Sequence, residues 1–388
     1  MTPYHMAGAN PFMELACMLS LAVEYIELGK EIGWTPEKTM SKLVVMMPID
    51  SKFFIQISKV RAARGVWTTL LKAYGIEEDK TQMVISASTS CLTHSQIDSH
   101  VNILRHAEAA FAGVVGGIDY LCICPFNTSH LANRIAHNIH ALLKEESQLH
   151  RVIDPAGGSY SVETITHDFI KESWGKFQEQ QREGGILQLM KTGKIQRELK
   201  VELEALKHSV QTRECSLIGT NVYVDIRQKE ELEKQGMHSI GDRLTGEEIL
   251  PLSQLRLPVL FEDLPKQSFT AGVIGLGKLK EYKPRADYVS GVLAAGGIET
   301  IWSEECVTAH DVETFINTTN HAYYCLCGTE DSYNQLVPEI IQKFKSRSFV
   351  LDIAGTDQFD VDGFIIKGQD IPEKISTIVS RVEGLIRE

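Results

Sequence analysis

The chain has 388 residues, 39 basic and 51 acidic, giving a net charge of −12 with histidines neutral. Apolar residues are 43% and charged residues 23%, enough for large cores, so a mainly disordered chain is excluded. An acidic chain with no basic stripe is also a poor general binder of nucleic acid.

No uncharged apolar run of about 18 residues is present to span a bilayer, and the opening ten residues lack the order of a signal or transit peptide. Eight cysteines are sparse for this length. Two Cys-x-Cys pairs, Cys122/Cys124 and Cys325/Cys327, fall in apolar runs and lack zinc spacing. They read as reduced core cysteines on buried strands, in a cytoplasmic protein outside any membrane.

In chain order, a short apolar run before Asn10 reads as the tail of a strand. Asn10 and Pro11 then cap a helix to about Gly33. Residues 42–49 read as a strand, 52–74 as a long amphipathic helix, 82–87 as a strand, and 100–115 as a helix stopped by Gly116-Gly117. A strand at 118–124 breaks at Pro125, and a helix follows over 129–146. Helices are predicted at 162–183, at a short segment after Gly184-Gly185, and at 196–212, then a last strand at 218–224. This β-then-α order implies parallel strands with crossover helices.

Residues 226–267 read as a linker that wraps a neighbour, because Leu250, Leu252, Leu255, Leu257 and Leu260 need burial among prolines and charges. Beyond it, strands at 269–274, 298–302, 322–326, 348–353 and 363–366 alternate with helices at 284–295, 309–316, 332–343 and 372–385. That is a doubly wound, flavodoxin-like pattern, whose ligand edge is the carboxyl end of its strands.

Few constellations carry chemistry. Gly272-Val-Ile-Gly275-Leu-Gly277 follows a strand but has the wrong spacing for a dinucleotide fingerprint. His5, His94, His100, His106, His130, His137, His140 and His150 show no two-histidine, one-acid helix motif, so they read as solvated or core residues. There is no Gly-x-Ser-x-Gly elbow and no P-loop. Arg61, Arg64, Arg105 and Arg134 could bind coenzyme phosphates, but a structural role, fixing helix ends to barrel loops or making salt bridges between subunits, is the favoured reading.

Several segments together resemble the methylmalonyl-CoA mutase family. They are Ala7-Gly8-Ala9-Asn10 with Glu14-Leu15-Ala16; Phe53-Phe54 through Lys59-Val60-Arg61-Ala62-Ala63-Arg64 to Trp67; and Thr89-Ser90. Val101-Asn102-Ile103-Leu104-Arg105, Asn133-Arg134-Ile135-Ala136, and above all Asp154-Pro155-Ala156-Gly157-Gly158-Ser159-Tyr160 with Glu163 continue the pattern in order. The resemblance implies a (β/α)₈ barrel joined to a flavodoxin-like cobalamin domain, and radical rearrangement of acyl-CoA by adenosylcobalamin.

The family's cobalt-binding Asp-x-His-x-x-Gly loop is replaced here by Gly275-Leu-Gly-Lys-Leu-Lys-Glu281, with no histidine between His238 and His310. The barrel segment where the catalytic chain has a substrate-side histidine reads Tyr120 to Asn127 without one. His5 lies too near Ala7-Gly8-Ala9 to inherit a catalytic role. This pattern is similar to the family's small subunit. No catalytic, cofactor-binding or metal residue is therefore assigned. The resemblance implies a heterodimer with a large catalytic mutase subunit that binds adenosylcobalamin and acyl-CoA and interconverts methylmalonyl-CoA and succinyl-CoA. A catalytic chain, or an accessory scaffold, is the alternative.

About half of the eight strands of a barrel of ~250 residues are legible before the linker. The expected organisation is therefore a carboxyl-terminal half-barrel over 1–225, the linker over 226–267, and a degenerate cobalamin-type domain over 268–388. The open sheet edges are expected to be covered by a missing amino-terminal half or another chain.

Overall fold

A computed structural model describes all residues except 78–79, 227–248, 266–268, 356–357 and 388. Contacts gather the described residues into two compact units. Among the described residues, one draws on 1–94, 99–206 and 249–257, the other on 95–98, 207–226 and 258–387. Much of the linker expected over 226–267 lies outside the described residues.

The first unit begins with α1 (Thr2–Met6), α2 (Pro11–Glu31) and α3 (Pro36–Met40). Then β1 (Val44–Ile49), α4 (Phe53–Ala73), β2 (Val84–Thr89), α5 (Val101–Gly116) and β3 (Tyr120–Cys122) alternate. Next come α6 (His130–Ala141), α7 (Tyr160–Arg182), α8 (Gly185–Lys191) and α9 (Lys194–Gln211), whose last turn counts with the second unit. Local chemistry sets the boundaries. The Asn10 side chain accepts from Met13 N–H at 3.0 Å to start α2. Gly117, at φ 88°, ends α5 in the left-handed region.

The three strands are parallel in the order β1-β2-β3. One face of the sheet carries Val45, Met47, Ile49, Ile85 and Ala87. It buries them against Leu15 and Leu19 of α2, Val60, Ala63 and Trp67 of α4, and Ala109 and Ala112 of α5. Each large side chain so buried contributes ~1.5–3 kcal/mol. The other face sets Met46, Ser86 and Tyr120 in register, with Pro48, Ser88 and Cys122 beside them. On that face Met46, Tyr120 and Cys122 are exposed, Ser86 and Ser88 are half-buried, and Pro48 is buried. β1 and β3 each keep one unpaired edge among the described residues. This is an α/β arrangement of the barrel type, represented by three of its strands.

Several expectations are corrected here. Residues before Asn10 form α1 rather than a strand, because Pro3 in the first turn presets a helical φ. Residues 218–224 make a tight turn with one isolated bridge, Ile218 to Val222. The Asn221 side chain bonds Leu217 N–H, Val210 O and Cys215 O, and Gly219 and Tyr223 take positive φ, so the segment wraps round an amide instead of extending. β3 is shorter than 118–124. Cys122 is exposed on the face away from the packed helices, and Cys124 lies past the strand end. Leu250 is exposed, whereas Leu257 is buried and donates its N–H to Leu92 O at 2.8 Å.

The second unit contains α10 (Val259–Glu262), β4 (Thr270–Gly275), α11 (Leu279–Ala295), β5 (Glu299–Trp302) and α12 (Ala309–Thr319). It continues with β6 (Tyr323–Cys327), α13 (Glu330–Lys343), β7 (Val350–Ala354), β8 (Gly363–Ile365) and α14 (Ile371–Arg387). The five parallel strands run in the order β5-β4-β6-β7-β8, the flavodoxin order. Cys325 and Cys327 are fully buried on the central strand β6, as expected. α11 starts at Leu279 rather than at Pro284. Glu281 accepts from Lys278 N–H at 3.0 Å and Glu305 from Leu279 N–H at 2.8 Å, so two carboxylates satisfy the opening donors.

Candidate functional site

In sheets of this kind ligands meet the carboxyl ends of the strands. In the first unit that end gathers a buried polar chain. His5 Nδ1 lies 2.8 Å from Glu14 Oε1, and His5 Nε2 lies 2.7 Å from Ser90 Oγ, just past β2. Glu14 Oε2 accepts from Lys59 Nζ at 3.0 Å, and Lys59 also donates to Pro48 O at 2.7 Å. His5, Glu14 and Lys59 are all buried.

The turn through Gly8 aims this chain. Gly8 has φ 97°, and a Cβ there would stand 2.7 Å from the backbone nitrogen of Leu203. Only glycine permits that approach, so the Ala7-Gly8-Ala9 motif seats α1 against α9 and turns His5 inward. Burial alone would raise the Glu14 carboxyl. The Lys59 ammonium and the His5 imidazole outweigh it and hold the group below the usual carboxylate range. On α4, Gln56 is buried and its Oε1 has no hydrogen-bond partner among the described residues.

A second cluster stands beside this one. Cys91 Sγ, just after β2, lies 3.2 Å from Cys124 Sγ, just after β3. His94 Nδ1 lies 3.1 Å from His106 Nε2 on α5. Burial, aided by nearby Arg256 and Arg105, pushes the His94 imidazole down to about 4. Burial likewise pushes His106 down to about 3, so both rings are neutral at pH 7. No single-helix motif holds this cluster, because its members come from two strand ends and a helix. The signal in the sequence is Cys91-x-x-His94 directly after a strand, paired with a cysteine directly after the next.

Arg61 and Arg64 sit at the opposite, amino-terminal end. Arg61 Nη2 bonds Asp154 Oδ2 at 2.8 Å and Glu163 Oε1 at 2.9 Å, so it clasps the Asp154–Tyr160 signature loop to α4. Arg64 donates to Met83 O at 2.8 Å, ahead of β2, and to Asp119 Oδ2 at 3.0 Å, ahead of β3. The structural reading of these two arginines holds: that end of a barrel serves stability. Arg105 bonds Asn102 Oδ1 at 2.7 Å, and Arg134 is exposed on α6.

At the carboxyl edge of the second unit, tyrosines fill the space over β4 and β6. A Cβ on Gly275 would fall 2.4 Å from the Tyr282 ring. Tyr333 is fully buried; its hydroxyl accepts from Gly328 N–H at 2.9 Å and donates to Ala354 O at 2.7 Å. Arg285 stacks over the Tyr333 ring and bonds Glu330 at 2.7 Å. His310 is exposed on α12, beside Glu313 at 3.4 Å.

A family model described as methylmalonyl-CoA mutase matches residues 2–256. The chain is 26% identical to the methylmalonyl-CoA mutase small subunit of Streptomyces virginiae, over 98% of this chain and 63% of that protein. It is 27% identical to the small subunit of Porphyromonas gingivalis, over 88% of this chain and 57% of that protein. It is 29% identical to the probable mitochondrial methylmalonyl-CoA mutase of Caenorhabditis elegans, over 72% of this chain and 38% of that protein. The matched part is thus little more than half the length of the curated small subunits. The family model covers residues 2–256, well over half of the chain, so the chain belongs to the methylmalonyl-CoA mutase family.

Proposed function

We propose that this chain acts as a small, non-catalytic subunit of an adenosylcobalamin-dependent methylmalonyl-CoA mutase. It pairs in the cytoplasm with a large catalytic subunit that holds the cofactor and the acyl-CoA. Residues 1–225 form a partial barrel, 226–267 the linker, and 268–388 a degenerate cobalamin-type domain. The observation that carries this reading is the edge above β4. The loop from Gly275 to Glu281 offers no imidazole to cobalt, and Tyr282 and Tyr333 occupy the space over β4 and β6. The residues present there do not fit a histidine-ligated cobalamin, so no step is routed through the cofactor on this chain. Relatives named as small subunits over most of this chain support the same reading. The described cysteines are free thiols, which suits a reducing compartment.

The subunit's task is then to support its partner. The sheet face with exposed Met46 and Tyr120, and the open edges of β1 and β3, are the surfaces that need covering. Co-expression with a candidate large subunit tests this. A stable one-to-one complex with cobalamin-dependent mutase activity is expected, with no cobalamin retained by this chain alone. Stoichiometric cobalamin on the isolated chain, with a histidine-on-cobalt spectrum, would overturn it. Mutase activity of the chain by itself would replace it with the catalytic reading.

A further inference from the structure

We propose that Cys91, His94 and Cys124 form a binding site for a thiophilic divalent cation of the zinc class, with His106 holding the His94 ring. One ligand atom from each of the three residues lies within 4.8 Å of the others. The proposal is independent of the subunit reading above.

The geometry suits a metal better than a disulfide. The sulfurs are 3.2 Å apart. A disulfide needs about 2.05 Å, whereas two thiolates on a tetrahedral zinc at about 2.3 Å each stand roughly 3.7 Å apart. A small opening of the pair therefore admits the ion. A disulfide has no use for a third donor, but a zinc site requires one. His94 supplies it, and its Nδ1 is engaged by His106 Nε2 at 3.1 Å, which leaves Nε2 for the metal. A ligating histidine whose other nitrogen is held by a fixed partner is the usual design of such sites.

The backbone around the ligands is also built. Cys124 N–H donates to Thr89 Oγ1 at 2.8 Å, Ser90 N–H donates to Ile49 O at 2.7 Å, and His94 N–H donates to Cys91 O at 3.1 Å. The cysteines are half-buried and His94 is buried, so an ion can enter from solvent and is then shielded. Thiolate and imidazole donors together select zinc over magnesium or calcium. Binding releases two thiol protons to solvent, forms two metal–sulfur bonds and one metal–nitrogen bond, and leaves a fourth position for water. Two thiolates balance the charge of the ion. The Arg256 guanidinium donates to His94 O beside the cluster and would stabilise the two thiolates once they form.

The test uses the full chain, reduced and stripped with a chelator, then titrated with zinc and separately with cobalt(II). One metal per chain is expected, with a thiolate-to-cobalt charge-transfer band and release of two protons. Cys91→Ser and Cys124→Ser should each weaken zinc binding by ~100-fold or more, and His106→Ala by about 10–100-fold. A folded wild-type chain with no charge-transfer band overturns the proposal. So does zinc binding that both serine variants leave unchanged, or a chain that forms a Cys91–Cys124 disulfide in air and takes up no metal once reduced. If a variant fails to fold, as judged by circular dichroism, the wild-type cobalt spectrum alone decides.

Discussion

Lys59 Nζ on α4 lies 3.0 Å from Glu14 Oε2 on α2, and both side chains are almost wholly out of solvent. The pair ties the two helices together beneath the carboxyl end of the sheet. Removing one partner leaves the other as an uncompensated buried charge. Glu14→Gln or Lys59→Met alone should destabilise the first unit by about 3–5 kcal/mol. The double variant should cost clearly less than the sum, because no lone charge remains. Urea unfolding followed by tryptophan fluorescence measures this, since Trp34, Trp67 and Trp174 all lie in the first unit.

Acid dependence follows from the same carboxyl. The folded Glu14 group titrates below its unfolded value, so at acidic pH the folded state binds fewer protons than the unfolded state does. Its stabilisation is fully present above the unfolded pKa of about 4.3 and is lost as pH drops through the folded one. Urea midpoints should therefore fall on acidification below about pH 4.5. Glu14→Gln, already less stable at pH 7, should show a shallower acid arm. Parallel acid arms in the two proteins would contradict this assignment.

Two glycines separate conformation from contact. Gly33 has φ 80° with open space around it, whereas Gly8 has φ 97° and faces the Leu203 backbone at 2.7 Å. Gly33→Ala should cost only about 1 kcal/mol, the left-handed backbone penalty. Gly8→Ala adds a collision with backbone that cannot yield, so about 3 kcal/mol or more is expected. Thermal melts of the two variants make the comparison.

The Arg61 clasp is partly exposed, with side-chain exposures of 15% for Arg61, 44% for Asp154 and 46% for Glu163. Solvent screening keeps its contribution near 1 kcal/mol. Arg61→Lys should lose part of it, because an ammonium lacks the planar fork that reaches two carboxylates. A fall in melting temperature of about 2–4 °C is the expected scale. Glu163→Gln should fall by a similar amount, and the two losses should not add fully.

Tyr333 offers a test of the second unit. Its buried hydroxyl bridges Gly328 N–H and Ala354 O. Tyr333→Phe leaves both groups short of a partner and should cost about 1–3 kcal/mol. Hydrogen exchange at the β6 and β7 amides, paired through Tyr323–Val350 to Leu326–Ile353, should quicken.

Much of the architecture was legible in the residues because it is written in local rules. The Asn10–Pro11 start of α2, the Gly116-Gly117 stop of α5, and the alternation of apolar runs with amphipathic stretches each act within a few positions. Even the five-strand flavodoxin order could be expected, since crossover connections admit few topologies. Errors came where a distant partner overrode local propensity. Asn221 reached back to Val210 and Cys215 and curled a β-rich segment into a turn. Cys122, apolar by its neighbours, stands exposed at the end of the edge strand β3, on the face away from the packed helices.

By itself the sequence determined the family, the alternating α/β order, and the roles open to its arginines, because those depend on residue type and spacing along the chain. Only the tertiary structure decided which arginine holds which loop, that His5 closes a chain through Glu14 to Lys59, and that Cys91, His94 and Cys124 converge. The reason is physical. Parallel strands bring residues from separate βα loops to one end of a sheet, and that juxtaposition depends on the register between strands, which no single segment encodes.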